Sequence, residues 1–166
     1  MKKKAVGDLM SKFHHVGVVL KDVDQVVKYL QGLGIGPFEP SKLVHTNRKI
    51  HGKPAPGDAK VIARTTTIGR IGIELLQPVS GKSTAQMWLE SHGEGISHLA
   101  FIVDDIEEAK STMVEAGFTL FTSMDNQGGG GSAFFSTDEV GGIIIEMEEL
   151  PPHLDKDPYW GHKPWE

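Results

Sequence analysis

His15-Val16-Gly17-Val18-Val19-Leu20-Lys21-Asp22-Val23 and His98-Leu99-Ala100-Phe101-Ile102-Val103-Asp104-Asp105-Ile106 are two versions of one phrase. Each has a histidine, a small residue two places on, an apolar run, and an aspartate ahead of a further apolar stretch. A second phrase also occurs twice, as Ile71-Gly72-Ile73-Glu74-Leu75 and as Ile143-Ile144-Ile145-Glu146-Met147. The histidines lie 98 − 15 = 83 residues apart and the glutamates 146 − 74 = 72. A duplicated unit with one imidazole and one carboxylate per copy supplies four metal ligands across a pseudo-twofold axis.

Working outward from these phrases, Phe13–Leu20 has strand composition and Asp22 stands at a helix N-cap. Val23, Val26, Val27, Leu30 and Leu33 then share one helical face. Gly32, Gly34 and Gly36 with Pro37 end that helix. Phe38–Thr46 reads as a weaker strand and Arg48–Asp58 as a loop. Lys60–Ile68 and Arg70–Gln77 read as two strands joined near Gly69. The second half repeats the order: a strand at Ser97–Val103, a cap at Asp104 or Asp105, and a helix with inner face Ile106, Ala109, Met113 and Ala116. Gly117 stops that helix, and strands follow at Phe118–Ser123, Ser132–Thr137 and Gly142–Glu148. The expected fold class is α+β: two tandem β-α-β-β-β modules forming a curved, cup-like mixed sheet with helices outside. The boundaries are an N-terminal tail at 1–12, modules at 13–79 and 97–149, a connector at 80–96 with a helical turn at Gln86–Glu90, and a C-terminal tail at 150–166.

Strand residues alternate between faces. Ile71, Ile73 and Leu75 therefore lie opposite Glu74, and Ile143, Ile145 and Met147 lie opposite Glu146 and Glu148. The simplest arrangement puts the isoleucines under the helices and the glutamates on the concave side. Gly17 and Ala100 leave room beside His15 and His98. His14 competes with His15 for that face, and the repeat alignment selects His15. The set His15, Glu74, His98 and Glu146 suits Co, Ni, Zn, Mn or Fe as the divalent ion, with positions left for water or substrate. Such a centre polarises a carbonyl, and a carboxylate beside it, Glu146 or Glu74, moves the neighbouring proton.

Composition narrows the classes. The chain has 166 residues and a formal charge of −5, which argues against a broad nucleic-acid surface. It has no cysteine, so thiolate sites and disulfides are excluded. No apolar run approaches a membrane span, and the basic start Met1–Lys4 has no apolar segment after it, so a solvated tail and a cytoplasmic location are expected.

The paired His-x-Gly/Ala-x-x-Val/Leu starts and Ile-Glu ends resemble the vicinal oxygen chelate superfamily, which includes glyoxalase I, methylmalonyl-CoA epimerase, extradiol dioxygenases and drug-resistance proteins. The resemblance spans about Phe13 to Glu149 and implies the cup of two modules, a metal held by the four residues above, and a homodimer. Gly34-Ile35-Gly36-Pro37-Phe38, Ile73-Glu74-Leu75-Leu76-Gln77-Pro78 and Ser97-His98-Leu99-Ala100-Phe101 look closest to methylmalonyl-CoA epimerase. The implied activity is a metal-dependent isomerase or epimerase acting on a small-molecule substrate such as a CoA or glutathione thioester. The alternatives are a glyoxalase I-type lyase, an extradiol-type dioxygenase and a non-catalytic binder. The epimerases carry a further catalytic glutamate in the first module, where Ile50–Val61 offers only His51 and Asp58, with His45 nearby. Gln127-Gly128-Gly129-Gly130-Gly131-Ser132 reads as a hairpin connection in preference to a lid. Lys42, Arg48, Lys49, Lys53, Lys60, Arg64 and Arg70 give the first module a basic bias suited to an anionic substrate group. His153, Tyr159, Trp160, His162 and Trp165 make the tail aromatic.

Overall fold

The computed structural model describes residues 5–137 and 142–166; the basic start at 1–4, expected as a solvated tail, lies outside them. In chain order the elements are α1 (Val6–Leu9), β1 (Phe13–Val19), α2 (Val23–Gly32), β2 (Glu39–Pro40), β3 (His45–Ile50), β4 (Lys53–Pro54), β5 (Lys60–Ile68) and β6 (Ile71–Ser80). There follow α3 (Thr84–His92), β7 (Gly95–Ile102), α4 (Ile106–Glu115), β8 (Thr119–Asn126), β9 (Gly131–Ser136) and β10 (Ile144–Glu149). The fold class is α+β, as the sequence predicts. None of the described helices is long and apolar enough to cross a membrane.

The chain divides into two compact units, one of Met1–His14, Leu43–Pro54 and His98–Glu166, the other of His15–Lys42 and Ala55–Ser97. In the His15 unit, β1 runs parallel to β6, β6 is antiparallel to β5, and β5 to the short β2. One face of this sheet is covered by α2. The side chain of Asp22 accepts from the Gln25 N–H at 2.9 Å and caps the first turn. Val23, Val26, Val27 and Leu30 then meet Val18, Ile73 and Leu75. Burying side chains of this size contributes roughly 1.5–3 kcal/mol each. Leu33, expected on that face, is instead 62% exposed. It is the C-cap, beyond the last helical residue, and Gly34 at φ +81° reverses the chain behind it so that Ile35 packs in its place.

In the His98 unit, β10 is parallel to β7 and antiparallel to β9, and β9, β8, β3 and β4 follow as antiparallel neighbours. One face carries α4 and Leu9 of α1, with Phe101, Met113, Phe135 and Met147 at the centre. Asp105, not Asp104, caps α4, accepting from the Glu107 and Glu108 N–H groups at 2.9 Å each; Asp104 pairs with Lys12. Thr112 is buried and Ala116, the C-cap, is exposed.

Three further differences from expectation have local causes. The segment expected as a strand to Thr46 and then a loop leaves β5 after Ser41, whose N–H still donates to the Ala63 carbonyl at 3.2 Å. It joins the open edge of β8 as β3 (Lys49↔Ser123, Ile50↔Thr122). His51 and Gly52, at φ +48° and +75°, then make a two-residue turn into β4, the positive-φ pair that twisted hairpins require. The connector holds a nine-residue helix rather than a single turn, since Ser83 caps it and Ala85 and Trp88 are buried. The start contains α1, whose Leu9 joins the core.

Candidate metal centre

The same register positions one histidine and one glutamate in each unit. In the His15 unit, His15 lies opposite Gly72 and Gly17 opposite Glu74. In-register residues of parallel strands project to the same side. His15 and Glu74 therefore meet diagonally over two positions that carry no side chain. His15 Nε2 is 3.6 Å from Glu74 Oε2, with His15 fully buried and Glu74 nearly so. In the His98 unit, Ile144 lies opposite His98 and Ala100 opposite Glu146. His98 Nε2 is 3.1 Å from Glu146 Oε2, both buried.

Two ligands on one ion, each about 2.0–2.2 Å from it, stand roughly 3.0–3.5 Å apart at angles between 90° and 109°. Both pairs have about this separation. Each unit thus offers one imidazole nitrogen and one carboxylate oxygen, donor types that suit a divalent ion of the middle transition series or zinc.

The surroundings hold each pair in place. The Phe134 ring, opposite Glu146 on β9, meets the His98 imidazole edge-on at 5.5 Å. Thr65, opposite Glu74 on β5, is buried and donates to the Glu39 carbonyl at 3.3 Å. Glu148, two residues beyond Glu146 and on its face, is 1% exposed and accepts from Ser132 Oγ at 3.0 Å. Strand alternation already put Glu148 on this face, but nothing in the sequence pointed to Ser132 as its partner.

The His14 ring lies among those of Tyr159, Trp160, His162 and Trp165. His45 Nδ1 hydrogen-bonds Asn126 Oδ1 at 2.8 Å. The His51 ring sits edge-on to Phe121 at the hairpin tip. Both histidines belong to the β3–β4 hairpin of the His98 unit, with β3 three strand positions from β10 in the ladder order, and Asn126, the partner of His45, also donates to the Glu149 carbonyl at the end of β10 at 3.1 Å. Asp58 is exposed, near Gly81 in the other unit. Of the basic residues, Lys42, Lys60, Arg64 and Arg70 fall in the His15 unit, and Arg48, Lys49 and Lys53 on the β3–β4 hairpin of the other.

The glycine-rich stretch is an ordered turn between β8 and β9, closed by Asn126 N–H to Gly130 O at 3.1 Å. A Cβ at Gly128 would come within 3.0 Å of the His153 ring, and one at Gly130 within 2.1 Å of the Glu149 carbonyl. The glycines therefore let the C-terminal segment approach the turn. That segment is itself folded: Pro152–Leu154 form a 3-10 turn, and Leu154, Tyr159 and Trp160 are buried beside Leu43 and Leu150.

Comparison with known proteins gives three kinds of likeness. A family model described as the Glyoxalase/Bleomycin resistance protein/Dioxygenase superfamily matches residues 14–135. The uncharacterized protein YqjC of Bacillus subtilis (strain 168) is 29% identical over 83 residues, 49% of this chain and 59% of that protein, so the match spans less than two thirds of the relative. Among solved structures, a hypothetical protein of Bacillus halodurans C-125 is 26% identical with a TM-score of 0.58, over 84% of this chain and 94% of that one. Methylmalonyl-CoA epimerase from Mycobacterium tuberculosis is 21% identical with a TM-score of 0.62, over 93% and 95% of the two chains. An epimerase solved with methylmalonyl-CoA and NH4+ is 18% identical with a TM-score of 0.62, over 86% and 96%. At these last two identities the likeness is one of fold.

Proposed function

This chain belongs to the glyoxalase/bleomycin resistance protein/dioxygenase superfamily, also called the vicinal oxygen chelate superfamily, and from that premise we propose that it is a divalent-metal-dependent isomerase or epimerase. Its substrate would be a small molecule carrying an acidic C–H next to a thioester or ketone carbonyl. The observation that carries this reading is the repeated pair: in each unit a histidine Nε2 faces a glutamate oxygen, at 3.6 and 3.1 Å.

His15, Glu74, His98 and Glu146 would hold the ion, which supplies Lewis-acid polarisation of the substrate carbonyl. The chain's own residues do the rest. A carboxylate oxygen of Glu146 takes the proton from the carbon next to the carbonyl, and the C–H electron pair moves onto the carbonyl oxygen as an enolate. Glu74, the equivalent carboxyl of the first repeat, starts as the acid and delivers its proton to the same carbon as the enolate electron pair re-forms the C–H bond, so that Glu146 ends protonated and Glu74 ionised. Burial of Glu146 and His98 excludes water from that transfer. The solved epimerase complex with methylmalonyl-CoA supports a CoA thioester as the first substrate to try.

The test is deuterium uptake at the α-carbon of methylmalonyl-CoA in D₂O, followed by mass spectrometry, with Co²⁺-loaded protein and a chelated control. Metal-dependent uptake is expected; none, with Co²⁺ verifiably bound, contradicts the reading. A glyoxalase I-type lyase is the second reading. It is favoured by the absence of a glutamate in Ile50–Val61, which leaves Glu74 and Glu146 as the proton-transfer pair. Thiol-dependent consumption of methylglyoxal separates it from the first.

A further inference from the structure

In each repeat the same two bonds tie the start of the helix to the strand that carries the site glutamate. In the His15 unit the Leu20 N–H donates to the Leu76 carbonyl at 2.8 Å, and the Val23 N–H donates to Gln77 Oε1 at 2.8 Å. In the His98 unit the Val103 N–H donates to the Glu148 carbonyl at 2.9 Å, and the Ile106 N–H donates to Glu149 Oε2 at 2.9 Å. The helix donors lie 106 − 23 = 83 residues apart and the side-chain acceptors 149 − 77 = 72. These are the offsets of the site histidines and of the site glutamates. The repeat has therefore kept Gln77 and Glu149 in step with Glu74 and Glu146, three residues beyond each.

Strand alternation puts Gln77 on the face of Ile73 and Leu75, and Glu149 on the face of Ile145 and Met147. Those are the faces that α2 and α4 cover. Each of the two residues ends its apolar stripe with a half-buried polar group against the first turn of the helix. The aspartate caps do other work: Asp22 takes the Gln25 N–H, and Asp105 those of Glu107 and Glu108. The first N–H of each helix is left to Gln77 or Glu149. The carbonyl bond lies in the plane of the sheet, whereas the side-chain bond rises from it toward the helix. Together they fix both the register of the strand end and its rotation about its own axis. Glu74 and Glu146 project from the opposite face of the same strands, so a rotation there swings the carboxylate, and a one-residue slip turns it to the other side. A glutamine does in one repeat what a glutamate does in the other. The requirement is an acceptor oxygen at that reach, not a charge.

We propose that Gln77 and Glu149 are positioning residues of the metal centre: each clamps the end of its strand to the helix start and so aims Glu74 or Glu146 at the histidine of its own unit. The aim at a metal rests on the reading of His15, Glu74, His98 and Glu146 as ligands; the clamp itself does not. Removing a group that orients a ligand from behind typically lowers metal affinity by about 10–100-fold. Removing an ordinary cap weakens the helix and leaves the ligand strand as it was. The two roles are therefore separable.

The experiment compares the full chain with Gln77→Ala and Glu149→Ala, with the conservative Gln77→Glu and Glu149→Gln, and with Asp22→Ala and Asp105→Ala, which remove a different cap from the same helices. Co²⁺ affinity, the visible absorption spectrum of the bound ion and the unfolding midpoint are measured on each. Gln77→Ala and Glu149→Ala are expected to lower Co²⁺ affinity by about tenfold or more and to change the spectrum. The two aspartate variants should lower the midpoint by a similar amount and keep affinity and spectrum. Gln77→Glu and Glu149→Gln should keep all three. Unchanged affinity and spectrum in both Gln77→Ala and Glu149→Ala, or equal changes in the aspartate variants, overturn the positioning role. In parallel, backbone amide exchange is followed by NMR on the metal-free proteins. The Val103 N–H should exchange about tenfold faster or more in Glu149→Ala than in Asp105→Ala, and the Leu20 N–H likewise in Gln77→Ala than in Asp22→Ala. Equal rates overturn the clamp. If the unsubstituted chain binds no Co²⁺, the ligand reading fails together with the aim at a metal, and the exchange rates still decide the clamp.

Discussion

Ala100 carries much of the geometry of the second half-site. It is fully buried, lies opposite Glu146 on β10, and sits two residues from His98. Gly17 has the same place relative to His15 and Glu74. A larger side chain at either position would stand between imidazole and carboxylate. Ala100→Leu should therefore destabilise by about 1–3 kcal/mol through overpacking and lower Co²⁺ affinity as well, read by urea unfolding and by metal titration on the same protein. Unchanged metal affinity in that variant would remove Ala100 from the account. Glu146→Gln is the complementary change, since it preserves shape and removes the proposed base. It should keep the unfolding midpoint within a few degrees and reduce α-proton exchange by about 10²–10⁴-fold. Full exchange in a folded Glu146→Gln protein would take the catalytic role from Glu146.

At the scale of elements, the caps and tight turns make the sharpest predictions. Asp105 holds two N–H groups of α4, and its replacement by alanine should lower stability by about 1 kcal/mol without changing metal affinity. Gly130→Ala places a methyl 2.1 Å from the Glu149 carbonyl at φ +75°. It should lower stability by about 2 kcal/mol or more and raise protease susceptibility after Leu150, since the same turn receives the C-terminal segment. A stable, protease-resistant Gly130→Ala would contradict that coupling. The two strand-helix starts were legible in the sequence because each combines an apolar run with an aspartate cap, and the two glutamates because each interrupts an alternating apolar strand. The β3–β4 hairpin was not legible. His51-Gly52 lacks the asparagine or aspartate that usually marks a two-residue turn, and β3 takes its partner from β8, more than seventy residues on. The fold of the C-terminal segment was also hidden. Its order comes from Asp157, Gly161 and docking on His14, none of which leaves a periodic pattern.

For the whole molecule, the repeat is the organising fact. Each repeat contributes one histidine and one glutamate in the same register, yet the compact units do not coincide with the repeats, because Leu43–Pro54 of the first half belongs with the second. Two donors alone make a weak site for a divalent ion; four, with two positions left over, suit catalysis. The central claim is therefore that the two half-sites serve one ion. Co²⁺ binding to the full chain, to His15→Ala and to His98→Ala, measured by equilibrium dialysis with metal analysis, tests it most directly. The account predicts one ion per wild-type chain and a loss of affinity of a hundredfold or more from either substitution. Two ions per wild-type chain, or one tight ion retained in each variant, would contradict it.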